Sequence, residues 1–242
     1  MNQLLTVVIQ LLISGLAMGF IYSLVGIEYT LIWNSTGLLN FSHDKLIMLG
    51  SYIFAGTFVV GAGVSSPIAI VLTLIILGIV GGLIASGVFN PLRNMNSMIF
   101  AVMGTMILGR IIKEICRLTW GPAPFTAPGW LSGNYKFAGI TLPKANVVIC
   151  AVSIIVVVSL QLFLYFTKIG KAMRCVAQNK KAAALMGINV KMNIVITTGI
   201  SAIICSIIGI LIIPLFNVST VMSASIGLKG FSAGVIGGFG YL

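Results

Sequence analysis

Residues 146–166 read NVVICAVSIIVVVSLQLFLYF, without a charge, and run directly into residues 167–191, TKIGKAMRCVAQNKKAAALMGINVK. A second apolar run follows at 193–215. The segment between the runs holds Lys168, Lys171, Arg174, Lys180, Lys181 and Lys191, six of the fourteen Lys and Arg residues of the chain, and no acid. About 20 apolar residues are what a helix needs to cross the hydrocarbon of a bilayer at about 1.5 Å per residue. Basic residues collect in the loops that stay on the cytoplasmic side. The stretch therefore reads as two membrane-spanning helices joined by a cytoplasmic loop, 167–191.

The rest of the chain agrees. Of its 242 residues, 59% are hydrophobic and 7% charged, and the mean hydropathy is +1.15. A soluble domain carries about 25% charged residues. In lipid, every backbone polar group must be satisfied within helices or a closed barrel. The apolar runs are continuous and do not alternate in segments of about ten residues, so helices are expected. The expected fold is all-α: one polytopic transmembrane bundle over residues 1–242, with spans near 4–32, 46–62, 66–89, 97–117, 146–166 and 193–215. The Gly-rich segment 218–242 is expected to be re-entrant or an incomplete span. Residues 1–27 hold no Lys or Arg, so they read as a retained first span and not as a cleaved signal.

With 167–191 inside, the connection 118–145 is external, the loop with Arg93 is internal and the N-terminus is external. The external connection contains WGPAPFTAPGW, whose prolines and glycines read as turns. Arg110, Lys113 and Arg117 stand against the charge rule at the outer end of the fourth span. Snorkelling to headgroups accounts for them, and Glu114, four residues from Arg110, offers a partner. GxxxG spacings at Gly15/Gly19, Gly78/Gly82, Gly230/Gly234 and Gly234/Gly238 predict close helix packing.

Several chemistries are excluded. The net charge of +11 sits at the ends of apolar runs, which argues against nucleic acid. Cys116, Cys150, Cys175 and Cys205 show no CxxC spacing, and with His43 as the sole histidine no metal-ligand set is legible. Around Gly170-Lys171, Tyr165 and Ala172 occupy the positions where a phosphate-binding loop needs Gly and Ser or Thr. No enzyme, cofactor or metal site is expected.

Three candidates remain. Glu28 stands in a long apolar run, either as a pathway acid or as a helix-end residue that reaches water; ionisable residues at such depth are functional candidates. In GLLNFSHDKLIMLG, residues 37–50, the polar Asn40, His43 and Asp44 predict that the chain leaves helix and restarts it, with Asn40 or Ser42 as the cap and Asp44 in the first turn. Such broken helices line cavities or are buried in protein. Third, Arg174 to Met186 predicts one short helix bracketed by Gly170 and Gly187, resting on lipid headgroups or in a groove of a cytoplasmic partner.

The same loop closely resembles the cytoplasmic loop of LivH-type permeases of branched-chain amino acid ABC importers. The resemblance rests on Thr167, Gly170, Arg174, Ala177, Ala183, Leu185, Gly187, Ile188 and Asn189, in order. GLLNFSHDKLIMLGSY, NPLRNMN and LKGFSAGVIGGFG resemble three further blocks of that family. Departures are Cys175 in place of Ala, Asp44-Lys45 in place of Gly-Glu, Glu28 in place of Gly, and Asn179-Lys180 in an often acidic stretch. The family pattern continues past GGFG, whereas this sequence stops at Leu242, so the chain reads as a truncated member.

The resemblance implies a permease of a bacterial inner membrane that moves branched-chain amino acids by alternating access. The partners it implies are two ATP-binding cassette subunits that hydrolyse the ATP, a second permease subunit in a heterodimer, and an extracytoplasmic binding protein. Gly170, Lys171, Arg174, Ala177, Ala183, Leu185, Gly187, Ile188 and Asn189 would form the ATPase-coupling loop, and Glu28, Asn40 and His43 the pathway or broken-helix lining. The alternatives are a permease for urea, short amides or another small polar solute, and a secondary transporter or channel that uses no ATP.

Overall fold

The computed structural model describes residues 3–92, 98–127, 129–137 and 140–239. Arg93, expected in an inner loop, lies outside these residues, as do 240–242 of the Gly-rich segment. The elements in order are α1 (Gln3–Thr36), α2 (His43–Ser51) continued by a π-helical stretch (Tyr52–Gly61), and α3 (Ser66–Ile84), which runs through a π-helical turn (Ala85–Phe89) into α4 (Asn90–Leu92). Then come α5 (Met98–Trp120), the hairpin β1 (Asn134–Phe137) and β2 (Ile140–Pro143), α6 (Lys144–Phe166), α7 (Lys168–Gln178), α8 (Lys180–Leu185), α9 (Val190–Ile212) and α10 (Ala224–Gly237).

Five helical stretches among the described residues are long and apolar enough to cross a membrane: Thr6–Thr36, His43–Gly61, Ser66–Leu92, Lys144–Phe166 and Val190–Ile212. The chain is thus an all-α, multi-pass bundle. The fourth expected span is α5, 23 residues long, whose second half is broken up by Arg110, Lys113, Glu114 and Arg117. Glu114 pairs with Arg117, Oε2 to Nε at 2.7 Å, and not with Arg110 as its spacing suggested. The helix turns Ala101, Thr105, Gly109, Ile112 and Cys116 inward, a three-and-four spacing that marks one helical face. α10 has 14 residues, about 21 Å at the helical rise, which is shorter than the hydrocarbon core.

The packing is inverted relative to a soluble protein. On α3 the outward stripe is Ile68, Val71, Ile75, Ile79 and Leu83, and the inward stripe is Ala69, Thr73, Leu77 and Gly81. Large side chains face lipid and small ones let backbones approach, because lipid offers no hydrophobic penalty and contact depends on close fit. α9 is buried along most of its length and contacts α1, α2 and α3. At the α3–α9 crossing a methyl on Gly81 would stand 2.5 Å from the Ala202 methyl. At the α1–α10 crossing one on Gly230 would stand 2.3 Å from Val25. Gly78 and Gly82 also face α9, and Gly234 faces Gly26, whereas Gly15 and Gly19 have open space beside them.

The connection after α5 differs from the sequence expectation in two ways. The helix runs on to Trp120, and β1 pairs with β2 in an antiparallel hairpin whose register sets Asn134 opposite Pro143. The turns between them are held by aromatic anchors. Trp130 donates its Nε1–H to the Ile210 carbonyl at 3.1 Å and packs on Phe54, and Phe125 pairs with the backbone of Val218.

Candidate functional site

Between α1 and α2 the chain leaves helix for residues 37–42. Gly37, at φ +73°, ends α1 in the left-handed conformation that glycine adopts without steric cost, and its N–H bonds the Trp33 carbonyl at 2.7 Å. The irregular backbone is then satisfied locally. The Leu38 N–H donates to Thr36 Oγ1 at 3.0 Å, the Phe41 N–H to Thr105 Oγ1 at 3.2 Å, and the Ser42 N–H to Asn40 Oδ1 at 2.9 Å. Non-helical chain inside a membrane bundle requires such pairing. The expected break is present, but neither Asn40 nor Ser42 caps α2 with its side chain. Asn40 instead accepts from Ser42 twice, through the backbone N–H and, at 2.6 Å, the hydroxyl. Asp44 does lie in the first turn of α2, paired with Lys45.

The restart of helix sets His43 against Glu28. Both are fully buried, and Nδ1 of the imidazole lies 2.6 Å from Glu28 Oε1. The Ser201 hydroxyl of α9 donates to the same carboxyl oxygen. Cys205, one turn further along α9, brings its sulfur to 3.8 Å from His43 Nδ1 and also donates toward the His43 carbonyl. Tyr29 meets the imidazole edge-on at 4.3 Å between centroids. The consecutive helices α1 and α2 are thus tied to the distant α9 through one polar knot. Of the two readings of Glu28, the helix-end residue that reaches water is overturned, since its exposure is 0%.

The scattered cysteines and single histidine suggested no ligand set, yet Glu28, His43 and Cys205 place their donor atoms within 4.8 Å of one another. In the structure the facing atoms of Glu28 and His43 are engaged with each other, so the knot is an interhelical polar tie. Around it Glu28 Oε2, His43 Nε2, Asn40 Nδ2 and Ser206 Oγ are buried without a hydrogen-bond partner. Ser201, Cys205 and Tyr29 were not singled out from the sequence. The legible clue was that a buried acid and a buried histidine each need a partner.

The segment 167–189 folds as two helices, where one was expected. Thr167 caps α7, its Oγ1 accepting the Gly170 N–H at 2.9 Å. Gly170 lies inside that first turn and does not start the helix. A methyl there would stand 2.3 Å from the Phe163 carbonyl oxygen, so only glycine lets α7 fold back on α6. At Asn179 the backbone is extended (φ −157°, ψ 104°), and its Oδ1 accepts the Ala182 N–H at 3.0 Å, starting α8. Gly187, at φ +84°, closes α8 with N–H bonds from Ile188 to Ala183 (3.0 Å) and from Gly187 to Ala184 (3.1 Å). Asn189 then caps α9 through the Met192 N–H at 3.1 Å.

The expected loop residues divide by exposure. Gly170 and Ala183 are buried, Ile188 is half-buried, and Lys171, Ala177, Gly187 and Asn189 are exposed. Leu185 is 89% exposed and, beside it, Met186 is 83% exposed, an apolar tip standing clear of the bundle. Arg174 turns the other way and stacks its guanidinium 4.3 Å over the Tyr165 ring of α6. At the start of α8 the Lys180 ammonium lies against Gly37, where a methyl would be 2.8 Å away. The helix pair therefore touches the connection that leads to His43.

Comparison with known proteins places this geometry. Residues 11–242 match the family described as branched-chain amino acid transport system, permease component. The high-affinity branched-chain amino acid transport system permease protein LivH of Salmonella typhimurium is 26% identical, over 96% of this chain and 79% of that protein. BraD of Pseudomonas aeruginosa, under the same description, is 28% identical over 96% of this chain and 80% of its own. A probable branched-chain amino acid transport permease protein LivH of Methanocaldococcus jannaschii is 26% identical over 89% and 73%. No solved structure matches the chain. A multi-pass helical bundle with this match over nearly its whole length is a transport subunit, and the chain belongs to the family of branched-chain amino acid transport permeases.

Proposed function

We propose that this chain is the membrane-spanning subunit of an ATP-driven importer of branched-chain amino acids, and that the α7–α8 helix pair is where a cytoplasmic ATPase docks. The observation that carries this reading is the apolar tip. Leu185 and Met186 stand almost fully exposed at the end of a helix pair whose own Lys180 rests on Gly37. Two adjacent apolar side chains this exposed, outside the spanning helices, form a tip of the kind that a protein partner covers. A push at that tip has a short path inward: α8 to Gly37, then along residues 37–42 to His43 and its tie to Glu28 and Ser201.

The remaining parts have matching places. The open face of α1 around Leu12, Gly15, Leu16 and Gly19 borders an apolar groove of about 730 Å³, which suits a second permease subunit. The hairpin end is opposite to the helix pair and is the side for an extracytoplasmic binding protein. The basic helix pair sits in the cytoplasm of a bacterial cell, and the bundle in its inner membrane. Branched-chain substrates are carried over from the names of the relatives.

The test is copurification with the ATPase. Leu185→Asp or Gly187→Asp is expected to remove the ATPase while membrane insertion is retained, and a deletion of 174–187 to do the same. Normal ATPase recovery with Leu185→Asp would overturn the docking role. A second reading, transport without ATP, is favoured by the Glu28–His43 pair, which gives the buried acid an ionisable partner. Uptake by the chain alone in proteoliposomes would select it.

A further inference from the structure

Among the described residues Arg174 has no ion-pair or hydrogen-bond partner. Its Nε is buried without a hydrogen bond, and its one described contact is the stack on Tyr165. The chain holds three acids, and each is engaged elsewhere: Glu28 with His43, Asp44 with Lys45, and Glu114 with Arg117. The buried Nε–H is costly as it stands, because it gives up water and receives no acceptor in return.

The residue borders a cavity of about 280 Å³ between the ends of α1 and α6 and the inner side of α7, walled by Asn34, Ser35, Tyr165, Arg174, Gln178 and Thr197 among others. The Arg174 guanidinium and the Asn34 and Gln178 amides border this space, donors that suit an oxyanion, while the Ser35 and Thr197 hydroxyls donate to the carbonyls of Ile32 and Asn193. Tyr165 is also a wall of a second cavity, of about 300 Å³, lined by Val158, Gln161, Leu162 and Phe166 along the outer face of α6. Leu162 and Phe166 there are exposed and lipid-facing. A polar cavity at the end of a spanning helix thus opens beside an apolar groove that runs up the helix, the shape of a headgroup followed by an acyl chain. Lys168 and Lys171 on α7 add exposed positive charge at the same level, which draws anionic lipid.

We propose that this paired cavity binds an anionic phospholipid, the phosphate on Arg174 and one acyl chain in the α6 groove. Arg174 thereby holds α7 to the bundle from within and leaves the Leu185–Met186 tip free for a protein partner. A carboxylate on a docking ATPase is the less favoured occupant, since the guanidinium faces inward, away from that tip.

The experiment uses the full chain alone, without ATPase, so it is independent of the docking role. The purified protein is exchanged into mixed phosphatidylglycerol and phosphatidylcholine micelles, and retained lipid is counted by native mass spectrometry. Wild type is expected to retain phosphatidylglycerol in preference to phosphatidylcholine. Arg174→Gln should lower that retention roughly tenfold or more, as loss of a charge-assisted contact does. Arg174→Lys should lose less, keeping the charge but not the planar stack, and provides a folded control. Leu162→Glu, which spoils the groove and leaves Arg174 in place, should also weaken retention. Equal retention of the two lipids by wild type, or unchanged preference in Arg174→Gln, would overturn the proposal. Displacement of the lipid by millimolar inorganic phosphate or leucine, with Leu162→Glu behaving as wild type, would assign the cavity to a free anion and overturn it as well.

Discussion

Replacing His43 by leucine tests the buried tie most sharply. The substitution keeps apolar volume and removes the group that lies 2.6 Å from the Glu28 carboxyl. Glu28 then keeps Ser201 as its partner for one oxygen, while its second oxygen is already unpaired. Leaving a buried polar group without its partner costs about 1–3 kcal/mol. The edge-on contact with Tyr29 adds about 0.5–1.5 kcal/mol to the loss. Replacing Glu28 by leucine together with His43 removes the stranded carboxyl, and such double apolar replacements are often close to neutral. Unfolding of the purified protein in detergent, followed by tryptophan fluorescence, gives the three stabilities. The expected pattern is a loss of about 2 kcal/mol or more in His43→Leu that the double variant recovers by at least half. Equal losses in the single and double variants, or a single-variant loss below about 1 kcal/mol, would refute the pairing.

Three further outcomes follow from individual contacts. Gly37→Ala places a methyl in a left-handed backbone and against Lys180, so it should cost about 1–2 kcal/mol and reduce transport while ATPase copurification is retained. Loss of ATPase recovery in that variant would show that the contact serves docking and not transmission. Gly81→Leu should destabilise by more than about 2 kcal/mol, because Ala202 and the Thr198 carbonyl leave no room at the α3–α9 crossing, whereas Gly15→Leu, with open space around it, should stay within about 0.5 kcal/mol. Leu185→Asp should leave stability within about 0.5 kcal/mol of wild type by the same unfolding assay, since the side chain is 89% exposed.

The spans were legible because lipid imposes a length and an apolar composition on every crossing helix, and five of the six expected positions carry such helices. α5 was legible as a helix but not in its charge pairing, because Arg110 and Arg117 both lie within one turn of Glu114 and only packing chooses between them. The break at residues 37–42 could be read from Asn40 and His43 within an apolar run. What the sequence could not supply was the partner of Glu28, since residues 28, 43 and 201 meet only once α1, α2 and α9 are packed. The split at Asn179 was missed for a related reason. Helix propensity favours continuation through Lys180 to Leu185, and the extended backbone at Asn179 is stabilised by its own side-chain cap on Ala182. The stack of Arg174 on Tyr165 was not legible either, because it forms only when α7 folds back on α6.

Leucine uptake into proteoliposomes that hold this chain, its second permease subunit and the binding protein, measured with and without a reconstituted ATPase and its ATP, tests the central claim most directly. Uptake that requires ATP and the ATPase, and that falls to background when Leu185→Asp replaces the wild-type chain, is the predicted result. Uptake that proceeds without the ATPase, or that is unaffected by Leu185→Asp, would contradict it.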